Sequence, residues 1–538
     1  MTTLTLHPAM PLLGPADPDA SIWVGAVDVA DLAVADGSVA LVDAADFSHA
    51  RLLVRDGRAV RGYVSLPVAG GTVSAVALRS ATDDLPPAPR TPVPEPEPIT
   101  VVLCTHERPD SLRAALRSIA ALDYPHLETV VVDNAPRTSS TRDLIAAEFP
   151  DFRYVVEERK GLSFARNAGL AAARYPIVAY TDDDTLADPQ WLWGIMAGFA
   201  RGDDVACVTG VVPSGELRNA IQCYFDARVS WSKLTAERVF RMSEPPADLP
   251  MFPFCVGEYG TGANFAVRRD VARALGSFDT ALGAGTETQG GEDLDLFARV
   301  VFAGYAIAVE PSAVIWHRHR DDVDALRSQA VGYGRGLGAW LATVALRPRM
   351  LGAAFVRAPR ALARLIDKPM STVDAGGAAT PALDDELQAV GRLELRSVLG
   401  GPGAYYRELR RQQESEGRTT PTGLPPERRS AFGQFWGLVA VVAAVAGLLA
   451  LIPSPPWVRL PLVLLFVLAG PGAVLRAWVP LPPFFAPMVV PAVGVALVIL
   501  VTTAMAFTAL WSPAISLLAM GMAVLGAGVL TLRAKAVS

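Results

Sequence analysis

Three consecutive carboxylates, Asp182, Asp183 and Asp184, stand in the stretch "IVAYTDDDTLADPQWL", directly after a run of strand-forming residues. Adjacent carboxylates repel one another, and a cation between them removes that cost. Hard oxygen ligands suit Mg2+ or Mn2+, which take one or two carboxylates and complete their shell with a substrate's phosphates. The triplet is therefore read as a metal and diphosphate site in preference to a solvated turn. A second acidic group, Glu292 and Asp293 in "GGEDLDLF", opens an amphipathic pattern with Leu294, Phe297, Val300 and Val301 on its inner side. One acid suffices to cap a helix start. Two of them, followed by Asp295, leave a carboxylate to act as a general base. Farther on, "VIWHRHRDD" sets His317 and His319 just past a short apolar run, and a neutral imidazole from one of them suits Mn2+. Asp133, at the end of "ETVVVDN", can accept a hydrogen bond from a ribose or a base. No GxxxxGK[ST] occurs and no GxGxxG follows the first strand, so the P-loop and dinucleotide fingerprints are both missing.

These residues need elements to hold them. "ITVVLCT" is a short apolar run of the kind found in a covered parallel strand. "PDSLRAALRSIAAL" then places Leu112, Leu116 and Ile119 on one helical face. "ETVVVDN", "TSSTRDLIAAEF", "FRYVVEE", "LSFARNAGLAAARY" and "IVAYT" continue the alternation of strand and helix. The series predicts an α/β domain with a mostly parallel sheet covered by helices. Such sheets bind ligands outside the carboxyl ends of their strands. Thr105, Asp133 and the aspartate triplet all fall at those ends, which accounts for three acids closing a buried strand.

The 538 residues are too many for one core. Five regions are expected: a small β-rich module at 1–84, with a hairpin about the Asp-Gly turn of "ARLLVRDGRAVRGYVSLPV"; a proline-rich linker at 85–98; the α/β domain at 99–320; a basic helical region at 321–430; and a membrane region at 431–538. From Ala431 onward there is no Asp or Glu, and the only basic residues are Arg459, Arg476, Arg533 and Lys535. Four spans are predicted there, at 432–452, 458–475, 485–510 and 513–532. Arg428 and Arg429 before the first span, and the basic residues after the last, favour both ends on the cytoplasmic side. The start, "MTTLTLHPAMPLLGPADPD", lacks a charged segment and a sustained apolar core, so everything before Ala431 is expected in the cytoplasm. The four cysteines form no close pair and no zinc spacing. A net charge of −6 and a pI near 5.7 argue against nucleic acid as a partner. In the helical region, many Arg residues among apolar ones would suit a helix lying on an anionic leaflet.

Taken in order, "VVLCTHERPDSL", "VVVDNAP", "KGLSFARNAGL", "AYTDDDT", "GTGANFAVRR", "GGEDLDLF" and "WHRH" resemble the family 2 glycosyltransferases of the GT-A fold, over about residues 99 to 320. The resemblance implies a nucleotide-sugar donor, a divalent cation and transfer with inversion at the anomeric carbon. It implies Thr105 and Glu107 lining the nucleotide pocket, Asp133 on the base, Arg166 near the nucleotide and Asp182 on the ribose, with Asp183 also on the donor side. Asp184 and His317 would hold the metal, and Asp293, beside Glu292, would be the base. Gly262 and Asn264 would face the acceptor. Processive members carry QxxRW; here the nearest segment in position is "QAVGYGRG", so polymer extrusion is not implied. The layout also resembles large membrane-anchored transferases of actinobacteria, with a lipid-linked or cell-envelope glycan acceptor and a role in polysaccharide biosynthesis. Two other readings compete: a non-catalytic membrane scaffold, and a component of a polysaccharide synthesis and export assembly. The apolar spans carry no acid or His for coupling an export step.

Overall fold

The run "ITVVLCT" forms β7 (Ile99–Thr105), buried along its whole length and paired in parallel with β8 (Leu127–Asn134) on one side and β10 (Ile177–Asp182) on the other. In the computed structural model, which describes residues 4–88, 95–354, 356–357, 381–415, 426–478, 489–498, 501 and 512–533, the chain divides into two compact units. One comprises Met1–Leu341 and Ala353–Leu409; the other comprises Ala342–Gly352 and Arg410–Ser538.

The first unit is built on a nine-stranded sheet. β9 (Arg153–Glu157) extends the parallel half beyond β8. Helices α3 (Pro109–Ala120), α4 (Ser140–Glu148) and α5 (Leu162–Ala172) make the crossovers, and Leu112, Leu116 and Ile119 of α3 are buried as their spacing predicts. Beyond β10 the sheet is mixed. β14 (Asn264–Arg268) runs antiparallel to both β10 and β12 (Val205–Val211). β15 (Ala306–His317) lies parallel to β12 and is flanked by antiparallel β11 (Thr185–Ala187) and β13 (Arg238–Phe240). The mostly parallel sheet expected from the sequence thus describes the half from β9 to β10, while the other half turns antiparallel. β11 follows β10 after a two-residue turn but leaves it, pairing antiparallel with β15 at the far edge of the sheet.

That turn positions the site. β10 ends at Asp182, and β11 starts at Thr185, directly opposite His317. Within the parallel half, Asp182 is level with Cys104 and Thr105 with Asp133, so the carboxyl ends of three strands open at one edge. α9 (Glu292–Phe302) begins at the same edge after Gly291, whose left-handed backbone (φ 92°) and closeness to the Gly336 carbonyl leave no room for a side chain. Leu296, Phe297, Val300 and Val301 bury its inner face, whereas Leu294 turns toward the cavity described below.

The N-terminal residues carry β2 (Trp23–Asp28), β4 (His49–Asp56) and β5 (Ala59–Pro67) in one small sheet. β4 and β5 form a hairpin through the Asp-Gly turn, with Gly57 at φ 60°. This segment is not a separate compact unit. Val24, Leu53 and Val60 pack with Val211, Val314 and Trp316, and Arg55 and Arg51 form 2.6 Å ion pairs with Asp188 and Asp226. Residues 89–94 of the proline-rich stretch lie outside the described residues. After β15 come α10 (Val323–Leu346), α11 (Pro381–Val398) and α12 (Gly401–Ser415); positions 358–380 and 416–425 of the expected helical region lie outside the described residues.

The second unit is a bundle of apolar helices at Pro426–Leu449, Pro456–Trp478 and Pro513–Arg533, centred on Ala440, Ala444, Phe466 and Val524. Two of these, Pro456–Ala477 and Pro513–Leu532, are long and apolar enough to cross a membrane. Four spans were expected. The first apolar stretch lies in the helix Pro426–Leu449, whose apolar part, Gln434–Leu449, ends shortly before "IPSPP" and rises only about 24 Å against a hydrocarbon core of about 30 Å. Of the third, Val489–Val498 is helical, and most of the rest of 485–510 lies outside the described residues.

Candidate active site

A cavity of about 900 Å³ opens at the strand-end edge. Thr105, Arg166, Asp182, Asp183, Asp184, Gly262, Glu292, Asp293 and His317 all line it, although the chain separates the first from the last by more than two hundred residues.

The three aspartates have three different surroundings. Asp183 is buried and locked: Thr105 donates to Oδ2 at 2.7 Å, and the Ser111 hydroxyl donates to its carbonyl at 2.7 Å. Asp182 lies 3.6 Å from Arg166, and burial lifts its pKa to about 6 against the pull of that guanidinium. Asp184 faces His317 Nε2 at 3.3 Å and Arg108 Nη1 at 3.4 Å. Burial alone would raise the Asp184 pKa, but His317, then Arg108 and Arg320, hold it well below the usual carboxylate range.

His317 and His319 face each other through their Nδ1 atoms at 3.0 Å. One must donate and the other accept. Burial, reinforced by His317, depresses the pKa of His319 and keeps that ring neutral. In the tautomer in which His319 Nδ1 accepts, a neutral His317 donates from Nδ1 and turns the Nε2 lone pair toward Asp184. Two acceptors at 3.3 Å require a proton or a metal ion between them. Burial would lower the His317 pKa, yet Asp184 and then Asp182 raise it. One carboxylate and one imidazole form a donor pair that fits Mn2+ or Mg2+ with a diphosphate completing the shell. Among the described residues no group of three His, Cys, Asp or Glu side chains is arranged to hold a metal unaided.

The helix-start acids divide in the same way. Glu292 is buried, its Oε1 accepting from Arg166 Nη1 at 3.0 Å, and burial, then Asp293, raise its pKa to about 7. Arg166 also donates to the Gly262 carbonyl at 2.9 Å, so one buried guanidinium ties Asp182, Glu292 and the "GTGAN" loop together. Asp293 is half-buried, with Oδ2 accepting from the Gly262 N–H and Oδ1 from the Leu294 N–H, both at 2.8 Å. Asp295 is fully buried on Arg299 at 2.7 Å.

Three expected residues do not line the cavity. Glu107 accepts from the Arg137 and Thr138 N–H groups at 2.7 and 3.1 Å and so fixes the loop before α4. Asp133 is buried, receives the Tyr154 hydroxyl at 2.8 Å and leaves Oδ1 without a hydrogen bond. Asn264 is a core cross-link, donating to Val211 and Ala313 carbonyls and accepting from the Trp191 indole. Sequence reasoning missed Arg108 and the apolar end of the cavity. There Phe225, Trp231 and Tyr333 stand with ring centres 6.2 to 6.5 Å apart. The cue for Arg108 was a cation three residues past a strand end that faces acids; the aromatic wall comes from separate segments and has no local signature.

The strand ends of this α/β sheet thus gather a carboxylate–imidazole pair and an oriented carboxylate about one cavity. Residues 100–276 match the model of glycosyl transferase family 2, and this segment belongs to that family. The match takes in Thr105, Asp133, Arg166 and the aspartate triplet and ends before Glu292. A pre-mycofactocin glycosyltransferase from Mycobacterium tuberculosis is 26% identical over 264 residues, 49% of this chain and 52% of its own length. A glucosyl-dolichyl phosphate glucuronosyltransferase from Haloferax volcanii is 28% identical over 194 residues, 34% of this chain and 57% of its own. The chain spans about half the length of the curated relatives it matches. A solved mannosyltransferase from Pyrobaculum calidifontis, in complex with GDP-Man and Mn2+, aligns with 83% of this chain and 90% of its own at 17% identity and a TM-score of 0.35.

Proposed function

We propose that the chain transfers a sugar from a nucleoside-diphosphate donor to an acceptor hydroxyl with inversion at the anomeric carbon, and that Asp293 is the base. The observation that carries this reading is the difference between neighbours that both line the cavity: Glu292 is buried on Arg166, while Asp293 is half-buried with each oxygen fixed by a backbone N–H. Each Asp293 oxygen keeps a second lone pair for the acceptor's proton. Arg166 holds the loop and the helix start in register, so the base does not drift. Asp184 and His317 would hold Mg2+ or Mn2+, which when bound neutralises charge on the departing diphosphate. Asp133 and Glu107 support the nucleotide pocket from behind its wall.

The apolar end of the cavity supports an acceptor with an apolar portion, such as a lipid-linked sugar. Tyr333, Leu337 and Leu341 recur every four residues along α10 and remain 40%, 38% and 45% exposed. The two apolar helices and the flanking Arg residues support attachment to a membrane with the site on the cytoplasmic side. A reporter inserted after Arg533 should then read cytoplasmic; an extracytoplasmic signal would reject this orientation. Stereochemistry tests the transfer itself. With an α-linked nucleotide sugar and water as acceptor, time-resolved NMR should detect the β anomer first, and the α anomer first would refute inversion.

A further inference from the structure

We infer that Arg108 is a built-in counter-cation for Asp183 and Asp184, holding the metal side of the site until donor and divalent cation arrive together. The inference rests on the metal reading of Asp184 and His317 given above. Arg108 Nη1 lies 3.3 Å from Asp183 Oδ1 and 3.4 Å from Asp184 Oδ2, while His317 takes Asp184 Oδ1. Both oxygens of Asp184 are thus occupied, and a cation that takes Oδ2 must displace the guanidinium.

Three observations make that displacement easy. First, charge-assisted bonds of full strength run about 2.7–2.9 Å, and the Arg51–Asp226 and Arg55–Asp188 pairs of this protein reach 2.6 Å, so the Arg108 contacts are loose by comparison. Second, Arg108 is not needed to hold the turn. Asp183 is already fixed by Thr105 and Ser111, and the Arg108 side chain is 44% exposed. Third, the backbone beside it is anchored. Glu107, at φ 56°, holds residues 137 and 138 through its carboxylate, and Pro109 opens α3, so movement is confined to the arginine side chain.

Electrostatics then sets the order of binding. A divalent cation alone would exchange one positive partner of Asp184 for another and gain little. A cation with a diphosphate brings its own negative ligands, and the released guanidinium faces phosphate oxygens across the cavity it already lines. Arg108 therefore keeps free metal out of the donor-free site and joins the donor once it enters.

Mn2+ titration followed by electron paramagnetic resonance tests this on the full chain in detergent. The forms compared are wild type, Arg108→Gln, Arg108→Lys and Asp184→Asn, each alone and with GDP or UDP. Arg108→Gln should bind Mn2+ alone about tenfold more tightly than wild type, an advantage that shrinks when a nucleoside diphosphate is present. Arg108→Lys, which keeps the charge, should stay near wild type. Unchanged or weaker Mn2+ binding by Arg108→Gln, with an unaltered thermal transition, overturns the inference. Wild-type Mn2+ binding by Asp184→Asn in the presence of nucleotide overturns the metal reading itself, and the inference with it.

Discussion

The two acidic groups of the cavity, Asp182 with Asp183 and Asp184, and Glu292 with Asp293 and Asp295, look alike in sequence and behave differently in the fold. In each, one member is locked away as structure: Asp183 by two hydroxyl donors and Asp295 by Arg299. In each, one member shares the buried Arg166: Asp182 and Glu292. The remaining member is tied to neither. Asp184 stands between Arg108 and His317, and Asp293 between two backbone N–H groups. The partners assign the chemistry. A carboxylate set between a guanidinium and an imidazole keeps its charge and suits a metal, whereas one whose oxygens are each aimed by a backbone N–H is positioned to meet a hydroxyl.

Breaking the first group should have the larger effect on ligands. Asp184→Ala should weaken Mn2+-dependent donor binding by at least about 100-fold and leave the fold intact, because only His317 then remains of the donor pair. Calorimetry with GDP and UDP would check it, and binding equal to wild type would remove Asp184 from the metal role. Breaking the locked member of the second group should affect stability instead. Asp295→Ala leaves Arg299 without its buried partner and should cost about 3 kcal/mol of stability, read as a lower thermal transition. A change in turnover without that loss of stability would mean Asp295 belongs to the chemistry.

Sequence reading succeeded where a local pattern carries the information. "ITVVLCT", "ETVVVDN" and "IVAYTDDD" are strands whose apolar runs stop at polar residues, and a parallel sheet gathers such ends at one edge. The antiparallel half was less legible. β14 inserts between β10 and β12, and nothing in "NFAVR" states its direction. The loop before α9 depends on backbone conformation: Gly283, Gly285, Gln289 and Gly291 all have positive φ, which brings Glu292 to Arg166 across 126 residues. Asn264 was expected to face the acceptor because of its motif, yet the same amide satisfies three buried groups in the sheet. The N-terminal segment was expected to stand apart across a proline-rich stretch, but Arg51 and Arg55 join it to the main sheet domain.

The division of labour within "ED" is the point on which the account depends, and single-turnover kinetics of Asp293→Asn and Glu292→Gln measure it. Donor affinity measured alongside separates binding from chemistry. The account predicts that Asp293→Asn loses about 10²–10⁴-fold in the transfer rate with donor and Mn2+ affinity nearly unchanged. Glu292→Gln should lose less, through a displaced Arg166. Near-normal turnover in Asp293→Asn, with the large loss in Glu292→Gln, would contradict it and pass the role of base to the buried neighbour.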